Sequence, residues 1–323
     1  MTIIVKGDEL FADFSGTSDQ VRAALNCTLA CTEAAVYLAV KSLIDPDVPN
    51  NQGFMRPIHV TAPLGCILNS VWPAATGARG LTVFRTVDAV LGALAGPLPD
   101  RVFAAGEGGN SNIRMGGHDL DGNTFLMVDI IVGAWGGRPD RDGIDGIANI
   151  ATNLSNVPAE LLEAEFPVRV EEYGFLPDTG GPGRYRGGLA IVRQIRFLGH
   201  DATLQLRSDR RKFQPYGLQG GKSGTPSINL LNAGQPHERV LPSKAVLPIT
   251  NGDVIRHETA GAGGHGDPLR RNPQRVLTDV VDGKESLEHA FAAYGVVIDP
   301  ESFFVDESAT AAARAERRQR DAS

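Results

Sequence analysis

The densest group of chemically capable side chains lies between Gly133 and Glu165. It combines carboxylates with asparagine amides, at Asp142, Asn149, Asn153, Asn156, Glu160 and Glu163. On a helix, Asn149, Asn153 and Asn156 share one face through their i,i+4 and i,i+3 spacing. Three amides on one face can hydrogen-bond a carbonyl or amide substrate; alternatively, the same residues serve as caps and turns. The stretch is therefore a candidate pocket wall.

The histidines are dispersed, and His257 and His265 form the one close pair, across a glycine turn. A metal ion needs three or four converging ligands, and the sequence indicates no such group. His265, beside Asp267, and His118, before Asp119, are candidate general bases, although a turn histidine is more often only solvated. A base must also lie within hydrogen-bond reach of its substrate.

The chain has three cysteines, Cys27, Cys31 and Cys66. They are odd in number and do not have the spacing of a disulfide framework, which is typical of proteins in a reducing compartment. Cys27 and Cys31 lie four positions apart on a predicted helix, close enough to share a ligand. No second cysteine pair or HxxxH completes a zinc site, so we expect buried free thiols.

Two glycine-rich segments are similar to nucleotide-binding motifs but depart from them. GAGGHG (Gly261 to Gly266) matches GxGxxG, yet Asp267-Pro268 follows where that fingerprint needs a helix to receive the pyrophosphate. We interpret it as a structural turn. GLQGGKSG contains Gly-Lys-Ser, but Tyr216 occupies the position of the first P-loop glycine, so it is not a Walker loop.

The elements that position these residues change along the chain. Alternating polarity in IIVKGDELFADFSG predicts a β-hairpin that turns at Gly7-Asp8. Helical periodicity predicts one buried helix from Thr17 to Leu43 and another over TVFRTVDAVLGALAG, with a short strand, IHVTAP, between them. Residues 102–135 indicate strands broken by glycine turns. DGIDGIANIATNLSN is a third helical candidate, weakened by its internal glycines and asparagines.

After Pro158 the pattern becomes mostly β. Short β-rich runs separated by glycine turns are FPVRVEEYGF, LAIVRQIRFL, ATLQLRS, SINLLN and DVIRHET. SLEHAFAAYG predicts a last helix ending at Gly295, and the charged tail from Ala309 is expected to be solvated or frayed. We expect an α+β fold, with mixed sheets and a few buried helices in the N-terminal half and a β-rich C-terminal region.

The composition and charge of the chain exclude several classes of protein. With 42% hydrophobic and 21% charged residues, the chain is neither disordered nor a coiled coil. A net charge of −7 argues against broad electrostatic binding of nucleic acid. The start lacks the regions of a signal peptide, and no run approaches the roughly 18 apolar residues of a membrane helix. We expect a cytoplasmic protein whose 38 glycines and 20 prolines form ordered turns.

Segments spread over nearly the whole chain resemble the hydantoinase B / oxoprolinase family, and also the B-type subunits of acetone and acetophenone carboxylases. They are FADFSGTSDQVRAALNCT, NQGFMRPIHVTAPLGCILN, PAATGARG, DRVFAAGEGGNSN, GGRPDRDG, NVPAELLEAEFPVRVEEYGFLPDTGGPGRYRGGLAIVRQIRF, PYGLQGGKSG, LPSK and GAGGHGDPLRR. The likeness is to the C-terminal portion of a longer family protein, which implies a sheet that has lost its beginning. It implies an α/β portion over 1–157, a β-rich portion of the same domain over 158–308, and a charged tail over 309–323.

The resemblance implies ATP-dependent opening of cyclic amides such as 5-oxoproline or hydantoins, or alternatively ATP-dependent carboxylation of ketones such as acetone. The resemblance implies that members work with a hydantoinase A-type ATPase subunit, or are fused to it; this subunit phosphorylates a carbonyl oxygen, while the B-type subunit hosts the later step. The chain would then be a hydrolase only within a hetero-oligomeric complex. The other partner would carry the missing N-terminal half.

The resemblance transfers few site residues. Positions that match family blocks are Asn110, Asn112, Gly136-Gly137, Asp142-Gly143, Asn153, Pro158, Glu160 and Glu163. Asn112, Asp142, Asn153 and Glu163 are the pocket candidates. Some members carry histidines where this chain has Ala148 and Ile150. Metal ligands of the B-type subunit lie in its N-terminal half, so the implied divalent metal transfers to no residue here; this chain alone would bind no cofactor, and ATP with Mg would enter through the partner.

Two other roles stay open beside a split or truncated catalytic subunit. The chain could be a non-catalytic assembly subunit whose turns serve an interface. It could also be an inactive fragment, because missing strands would expose a sheet edge.

Overall fold

The computed structural model describes residues 1–109 and 111–322. The chain divides into two compact units: unit 1 comprises Met1–Phe103 with Ile150–Asn153, and unit 2 comprises Ala104–Asn149 with Leu154–Ser323. Each unit has its own sheets and is described by itself.

Unit 1 is a three-stranded sheet with two packed helices. Its elements are β1 (Thr2–Lys6), β2 (Glu9–Asp13), α1 (Leu29–Lys41), α2 (Gln52–Met55), β3 (Ile58–Thr61) and α3 (Gly80–Leu94). β1 and β2 form the predicted hairpin, in which Lys6 pairs with Glu9 and Gly7 takes the positive φ of 61° that its turn requires. β3 adds to β2 in parallel, and α1 packs on α3. The hairpin, the short strand and the second helix are confirmed.

The first predicted helix is much shorter than expected, because residues 17–28 do not join α1. The Asn26 amide accepts a hydrogen bond from the backbone of Val21 at 2.8 Å and donates to the carbonyls of Val21 and Ala75. Cys27 precedes the helix and hydrogen-bonds to Ile67 through its backbone. The placement of Cys27 and Cys31 on one helix is therefore wrong. All three cysteines are free thiols; Cys27 and Cys66 are buried, whereas Cys31, expected to be buried, is partly exposed.

Unit 2 is built around two antiparallel sheets. Its strands are β4 (Ser111–His118), β5 (Thr124–Ile131), β6 (Val168–Leu176), β7 (Ala190–Phe197), β8 (Asp201–Arg207), β9 (Ile228–Leu231), β10 (Arg239–Val240), β11 (Lys244–Thr250) and β12 (Val254–Glu258). One sheet has the order β11-β8-β4-β5 and the other the order β10-β9-β12-β7-β6. Buried side chains from both sheets form one core, including Ile113, Met127, Ile195, Phe197, Leu204 and Ile255.

All five β-rich runs predicted after Pro158 are strands. β11 was missed because its sequence contains Pro248 and the apolar but exposed Val246, which hide the regular alternation of its burial. β11 is an edge strand that pairs with β8 alone, and an edge tolerates the missing backbone N–H of proline.

The helical candidate over 142–156 is wrong, since no helix forms there. Gly146 has a φ of 64°, and the backbone bonds outward: Gly143 donates to the carbonyl of Arg186 at 2.7 Å, and Ile147 to that of Gly133 at 2.9 Å. These hydrogen bonds to other segments take the place of the i→i−4 backbone hydrogen bonds of a helix. The proposed single face of three asparagine amides consequently does not exist.

The remaining helices of unit 2 are α4 (Ala159–Glu165), α5 (Pro273–Val281), α6 (Leu287–Tyr294) and α7 (Glu307–Ala322). α6 is the predicted last helix: the Ser286 hydroxyl accepts a hydrogen bond from the backbone of His289, and Gly295 closes the helix with a φ of 62°. The expectation of a solvated or frayed tail is wrong, because α7 docks through its arginines. Arg314 donates to the carbonyls of Tyr294 and Arg271, both at 2.9 Å.

Helices together with antiparallel and mixed sheets confirm the α+β prediction. Within the described ranges, no helix has both the length and the apolar composition that a membrane crossing requires. The family-domain boundaries at 157 and 308 stay a prediction.

Candidate functional site

The glycine-rich turns of unit 2 come together at one place. Gly137 donates a backbone hydrogen bond to Gly263 at 2.8 Å, Gly181 donates to Ala262 at 2.7 Å, and Leu218 donates to Gly264 at 3.0 Å. Segments that are distant in sequence, at 133–137, 180–188, 217–224 and 261–266, are thus tied backbone to backbone. We call this group of four segments the glycine cluster.

Glycine is required in this cluster by close backbone approach. A Cβ on Gly263 would lie 2.0 Å from the carbonyl oxygen of Tyr216, and one on Gly136 would lie 1.9 Å from that of Ala104. Such distances admit no side chain. The high glycine content therefore serves packing, and GAGGHG is a structural turn: only a three-residue 3-10 helix, Pro268–Arg270, follows it.

A surface pocket of about 420 Å³ lies beside the glycine cluster. It is lined by Gly220, Lys222, Asp267, Pro268, Leu269, Ala293, Arg317 and Arg320. The two segments that are similar to nucleotide-binding motifs, GLQGGKSG and GAGGHGDP, each supply part of the wall. Leu269 of the 3-10 helix and helices α6 and α7 supply the rest. We call it the basic pocket.

The charge of the basic pocket is strongly positive. Three cations, Lys222, Arg317 and Arg320, face one carboxylate, that of Asp267. One oxygen of Asp267 accepts the backbone N–H of Leu269 at 2.8 Å, which holds this carboxylate at the start of the 3-10 turn. In a chain with a net charge of −7, the basic pocket is a local site suited to an anion.

The cations of the pocket are positioned differently. The Arg317 guanidinium donates to the carbonyl of Ala292 at 2.8 Å and lies 4.8 Å from the ring centroid of Phe291, which fixes its plane. Arg320 pairs with Glu316 on the preceding turn of α7. Across residues 1–109 and 111–322, no hydrogen bond or ion pair engages the Lys222 ammonium, so its donors are available to a ligand.

Asp142 is held in a buried ion-pair network. Its two oxygens accept from the Arg271 guanidinium at 2.5 and 3.0 Å, and one also accepts the backbone N–H of Arg186 at 2.7 Å. Arg271 also donates to Asp279 at 2.6 Å, and its side chain is 1% exposed. Burial raises the pKa of the Asp142 carboxyl, but the hydrogen bonds and charge of Arg271 outweigh this and lower it. Asp142 is thus an ionised anchor for Arg271.

The other pocket candidates lie in different surroundings. Asn112 is buried at the start of β4, opposite Ile130 of β5 and Arg207 of β8. Glu163 is exposed on α4, and its carboxylate accepts the backbone N–H of Val170 at 2.8 Å. Asn153 is exposed and belongs to unit 1, whereas the other candidates belong to unit 2. Asn110 lies outside the described residues. Catalytic roles for these residues stay predictions.

Of the three asparagines expected on one helix face, Asn149, Asn153 and Asn156, the last connects two segments through its side-chain amide. Its amide accepts from the backbone N–H of Val132 at 2.7 Å and donates to the carbonyl of the same residue at 3.2 Å. It also donates to the hydroxyl of Tyr173 at 3.0 Å. Asn156 therefore fastens the loop before α4 to the end of β5.

The two histidines considered as bases differ in exposure. His118 is exposed and lies 3.3 Å from Asp201. His265 is buried within the glycine cluster, where its backbone exchanges two hydrogen bonds of 2.9 Å with Tyr185. Neither lines the basic pocket.

Sequence reasoning missed the cations of the basic pocket. In the sequence, Lys222 was noted only as the lysine of GLQGGKSG, a segment that does not match the P-loop. Arg317 and Arg320 were noted only as part of a charged tail. Nothing local indicated that α7 returns to the glycine turns, because its docking depends on carbonyls at Leu269, Arg271, Ala292 and Tyr294.

This arrangement defines an α+β protein whose family-like blocks converge on a glycine cluster beside an anion-attracting pocket. The family model described as Hydantoinase B/oxoprolinase matches residues 1–268. The chain belongs to the hydantoinase B/oxoprolinase family, which confirms the resemblance found in its sequence.

Individual relatives are consistent with that membership. The chain is 35% identical over 309 residues to the B-type subunit of a "Putative D-/L-hydantoinase" from Pseudomonas sp. (strain NS671), covering 92% of this chain and 51% of the relative. The crystal structure of ATP-dependent caprolactamase from Pseudomonas jessenii is similar at a TM-score of 0.86 and 27% identity, over 97% of this chain and 56% of that one. A nucleotide-free acetone carboxylase has the same fold, with a TM-score of 0.82 and 19% identity over 99% of this chain and 48% of that one. The chain spans about half the length of each of these three relatives.

Proposed function

We propose that the chain is part of a B-type subunit of an ATP-dependent cyclic-amide hydrolase of the 5-oxoprolinase, hydantoinase or N-methylhydantoinase type. The observation that carries the proposal is the family match over residues 1–268 of a chain whose family-like turns converge beside one basic pocket. The named activity of a structural relative, ATP-dependent caprolactamase, supports the hydrolysis of a cyclic amide.

The chemistry divides between two subunits. An amide carbonyl is a poor electrophile, and phosphorylation of its oxygen turns that oxygen into a good leaving group. The segment that came nearest to a P-loop departs from it at Tyr216, so we assign ATP and Mg to a hydantoinase A-type ATPase partner. The B-type subunit then hosts the attack of a first water on the phosphorylated carbon, after which the ring C–N bond breaks, the nitrogen takes a proton and an acyl phosphate remains. A second water attacks the acyl carbon and releases inorganic phosphate that keeps the original carbonyl oxygen.

The basic pocket is the part of this chain that we assign to the phosphorylated intermediate. Arginine and lysine side chains bind phosphate oxygens through charge-assisted hydrogen bonds, and Lys222 has donors to spare. A volume of about 420 Å³ lies within the roughly 300–1,000 Å³ range of small-molecule sites. The pocket is therefore large enough for a phosphorylated five-membered ring.

The proposed assembly is a hetero-oligomer in the cytoplasm. It contains this chain, the A-type ATPase subunit and a chain with the remaining residues of a B-type subunit, which would also bring a divalent metal. We expect neither nucleic acid nor a membrane as a partner.

Reconstitution tests the proposal. The chain is mixed with an A-type subunit and the remaining B-type part, and ring-opened product is measured with ATP for 5-oxoproline, hydantoin, N-methylhydantoin and caprolactam. We expect turnover of at least one amide only when all components are present. Turnover by the chain alone would contradict the proposal, as would carboxylation of acetone with bicarbonate in the absence of amide hydrolysis.

Two lysine variants test the pocket assignment. Lys222→Gln removes a charge-assisted contact worth about 1.5–3 kcal/mol, so product formation should fall roughly 10- to 100-fold while the complex still assembles. Lys6→Gln removes an exposed lysine of β1 and should leave the rate unchanged. Equal rates in the two variants would remove the basic pocket from the proposal.

A further inference from the structure

A second group of chemically capable side chains lies away from the residues that line the basic pocket. Asp178 follows β6, and Glu285 and His289 stand at the start of α6. One ligand atom from each, a carboxylate oxygen or an imidazole nitrogen, lies within 4.8 Å of the others. His289 Nδ1 is 3.6 Å from Asp178 Oδ1 and contacts Glu285 Oε2 directly.

The burial of these groups differs in a way that suits an ion at the protein surface. The Glu285 carboxylate is fully buried, whereas the side chains of His289 and Asp178 are 25% and 35% exposed. A buried carboxylate is costly unless a cation pairs with it. Solvent reaches the cluster from the side of Asp178, so an ion could enter and keep water ligands there.

The backbone holds the cluster together. The N–H of Asp178 donates to the carbonyl of Lys284 at 3.1 Å, and the N–H of Ser286 donates to Asp178 Oδ1 at 2.6 Å. The hydroxyl of Tyr294 donates to Glu285 Oε1 at 3.3 Å, which orients the buried carboxylate. Side chains that hydrogen bonds already hold in place lose little conformational entropy when they bind an ion.

An i,i+4 ion pair at the start of a helix would explain Glu285 and His289 alone. It does not explain the second carboxylate, Asp178, near the same nitrogen. The nearby Lys284 ammonium pairs elsewhere, with Asp145 and Asp282 at 3.8 and 3.7 Å. The buried guanidinium of Arg186 also acts on Glu285 through its charge, but its ion pairs are with Asp145 and Asp279. Two carboxylates thus share one imidazole, and a dication would balance their charge.

We propose that Asp178, Glu285 and His289 form a binding site for one divalent transition-metal ion of the Mn²⁺ or Zn²⁺ class. Protein ligands at about 2.0–2.2 Å from such an ion lie roughly 3.0–3.4 Å from one another, so side-chain movements of about an ångström complete the site. The imidazole favours these ions over Mg²⁺ and Ca²⁺, which prefer oxygen ligands alone. Water fills the remaining coordination positions.

Metal titration of the purified full chain tests this site without any activity assay. After chelator treatment, isothermal titration with ZnCl₂ or MnCl₂ should show one ion per chain and a rise in melting temperature, whereas MgCl₂ should give neither. His289→Gln should weaken binding at least about tenfold, and Asp178→Asn should do the same without altering the buried carboxylate.

A matched variant, His237→Gln, removes an exposed histidine and should bind as the parent chain does. The proposal is overturned if no ion binds, or if binding is the same in His289→Gln and His237→Gln. The melting curve of each variant without metal shows whether it is folded. Because the titration does not involve ATP or an amide, its failure would leave the proposed hydrolase function unaffected.

Discussion

Replacing Arg271 with methionine should destabilise unit 2 strongly, because this buried side chain forms ion pairs with two carboxylates, those of Asp142 and Asp279. The guanidinium is 1% exposed and binds Asp142 at 2.5 Å and Asp279 at 2.6 Å. At about 4 Å and an effective dielectric constant near 20, each charge pair is worth roughly 4 kcal/mol before desolvation is subtracted. Breaking a buried pair typically costs about 3–5 kcal/mol, and we expect Arg271→Met to lower the free energy of unfolding by that amount.

Arg275→Met is the matched control. Arg275 also approaches Asp142, at 3.9 Å, but its side chain is 54% exposed, so its loss should cost at most about 1 kcal/mol. Urea unfolding of both variants, followed by circular dichroism, measures the difference. Equal losses, or a loss below about 1 kcal/mol in Arg271→Met, would refute the role given to the buried network.

The pH dependence gives the same experiment a second readout. The pKa of Asp142 is lower in the folded chain than in the unfolded one, so its pairing stabilises the fold above the unfolded pKa, near 3.9. That contribution is lost as pH falls through the folded pKa. Arg271→Met removes the hydrogen bonds and charge of Arg271, the largest of the effects that lower the pKa, and leaves those of Arg186 together with the burial that raises it. Its deficit in the free energy of unfolding should therefore be largest at neutral pH and shrink as the pH falls through the acidic range in which Asp142 takes up a proton.

Other variants test the packing described above. Gly263→Ala should prevent stable folding, because its Cβ would lie 2.0 Å from a backbone oxygen, whereas Gly174→Ala meets nothing within 4 Å and should melt within a few degrees of the parent. Asn156→Ala leaves the buried N–H of Val132 without its acceptor and should lower the free energy of unfolding by about 1–3 kcal/mol. Asn153→Ala, at an exposed position, should lower it by less than about 0.5 kcal/mol, and urea unfolding measures both values. A role of Asn153 in catalysis would appear instead as lost turnover in a fully assembled complex. Native-state alkylation followed by mass spectrometry should label Cys31 first, because it is the one partly exposed cysteine in the described chain; faster labelling of another cysteine would contradict this difference in burial.

Local patterns were sufficient wherever neighbours in sequence are also neighbours in the fold. The Gly7-Asp8 hairpin and the five strands predicted after Pro158 follow from alternation and turn residues alone. The loop over 142–156 could not be predicted in this way, since its backbone partners, Gly133 and Arg186, belong to other segments.

The candidate sites were harder to predict for the same reason. Lys222 and Arg317 line the same pocket only because α7 docks on backbone carbonyls. The pattern of charges in the sequence does not indicate that docking. Glu285 and His289 lie four positions apart in sequence, but Asp178 joins them through tertiary structure. The family resemblance identified the fold and class of protein, and the placement of these side chains required the structure.

The central claim is that this chain, with an ATPase partner, opens a cyclic amide through a phosphorylated carbonyl oxygen. Its most direct test uses an amide substrate with an isotope-labelled carbonyl oxygen in the reconstituted complex. The account predicts that ring-opened product and labelled inorganic phosphate appear together, and only when ATP and this chain are both present. Product without labelled phosphate, or unchanged product formation when this chain is omitted, would contradict it.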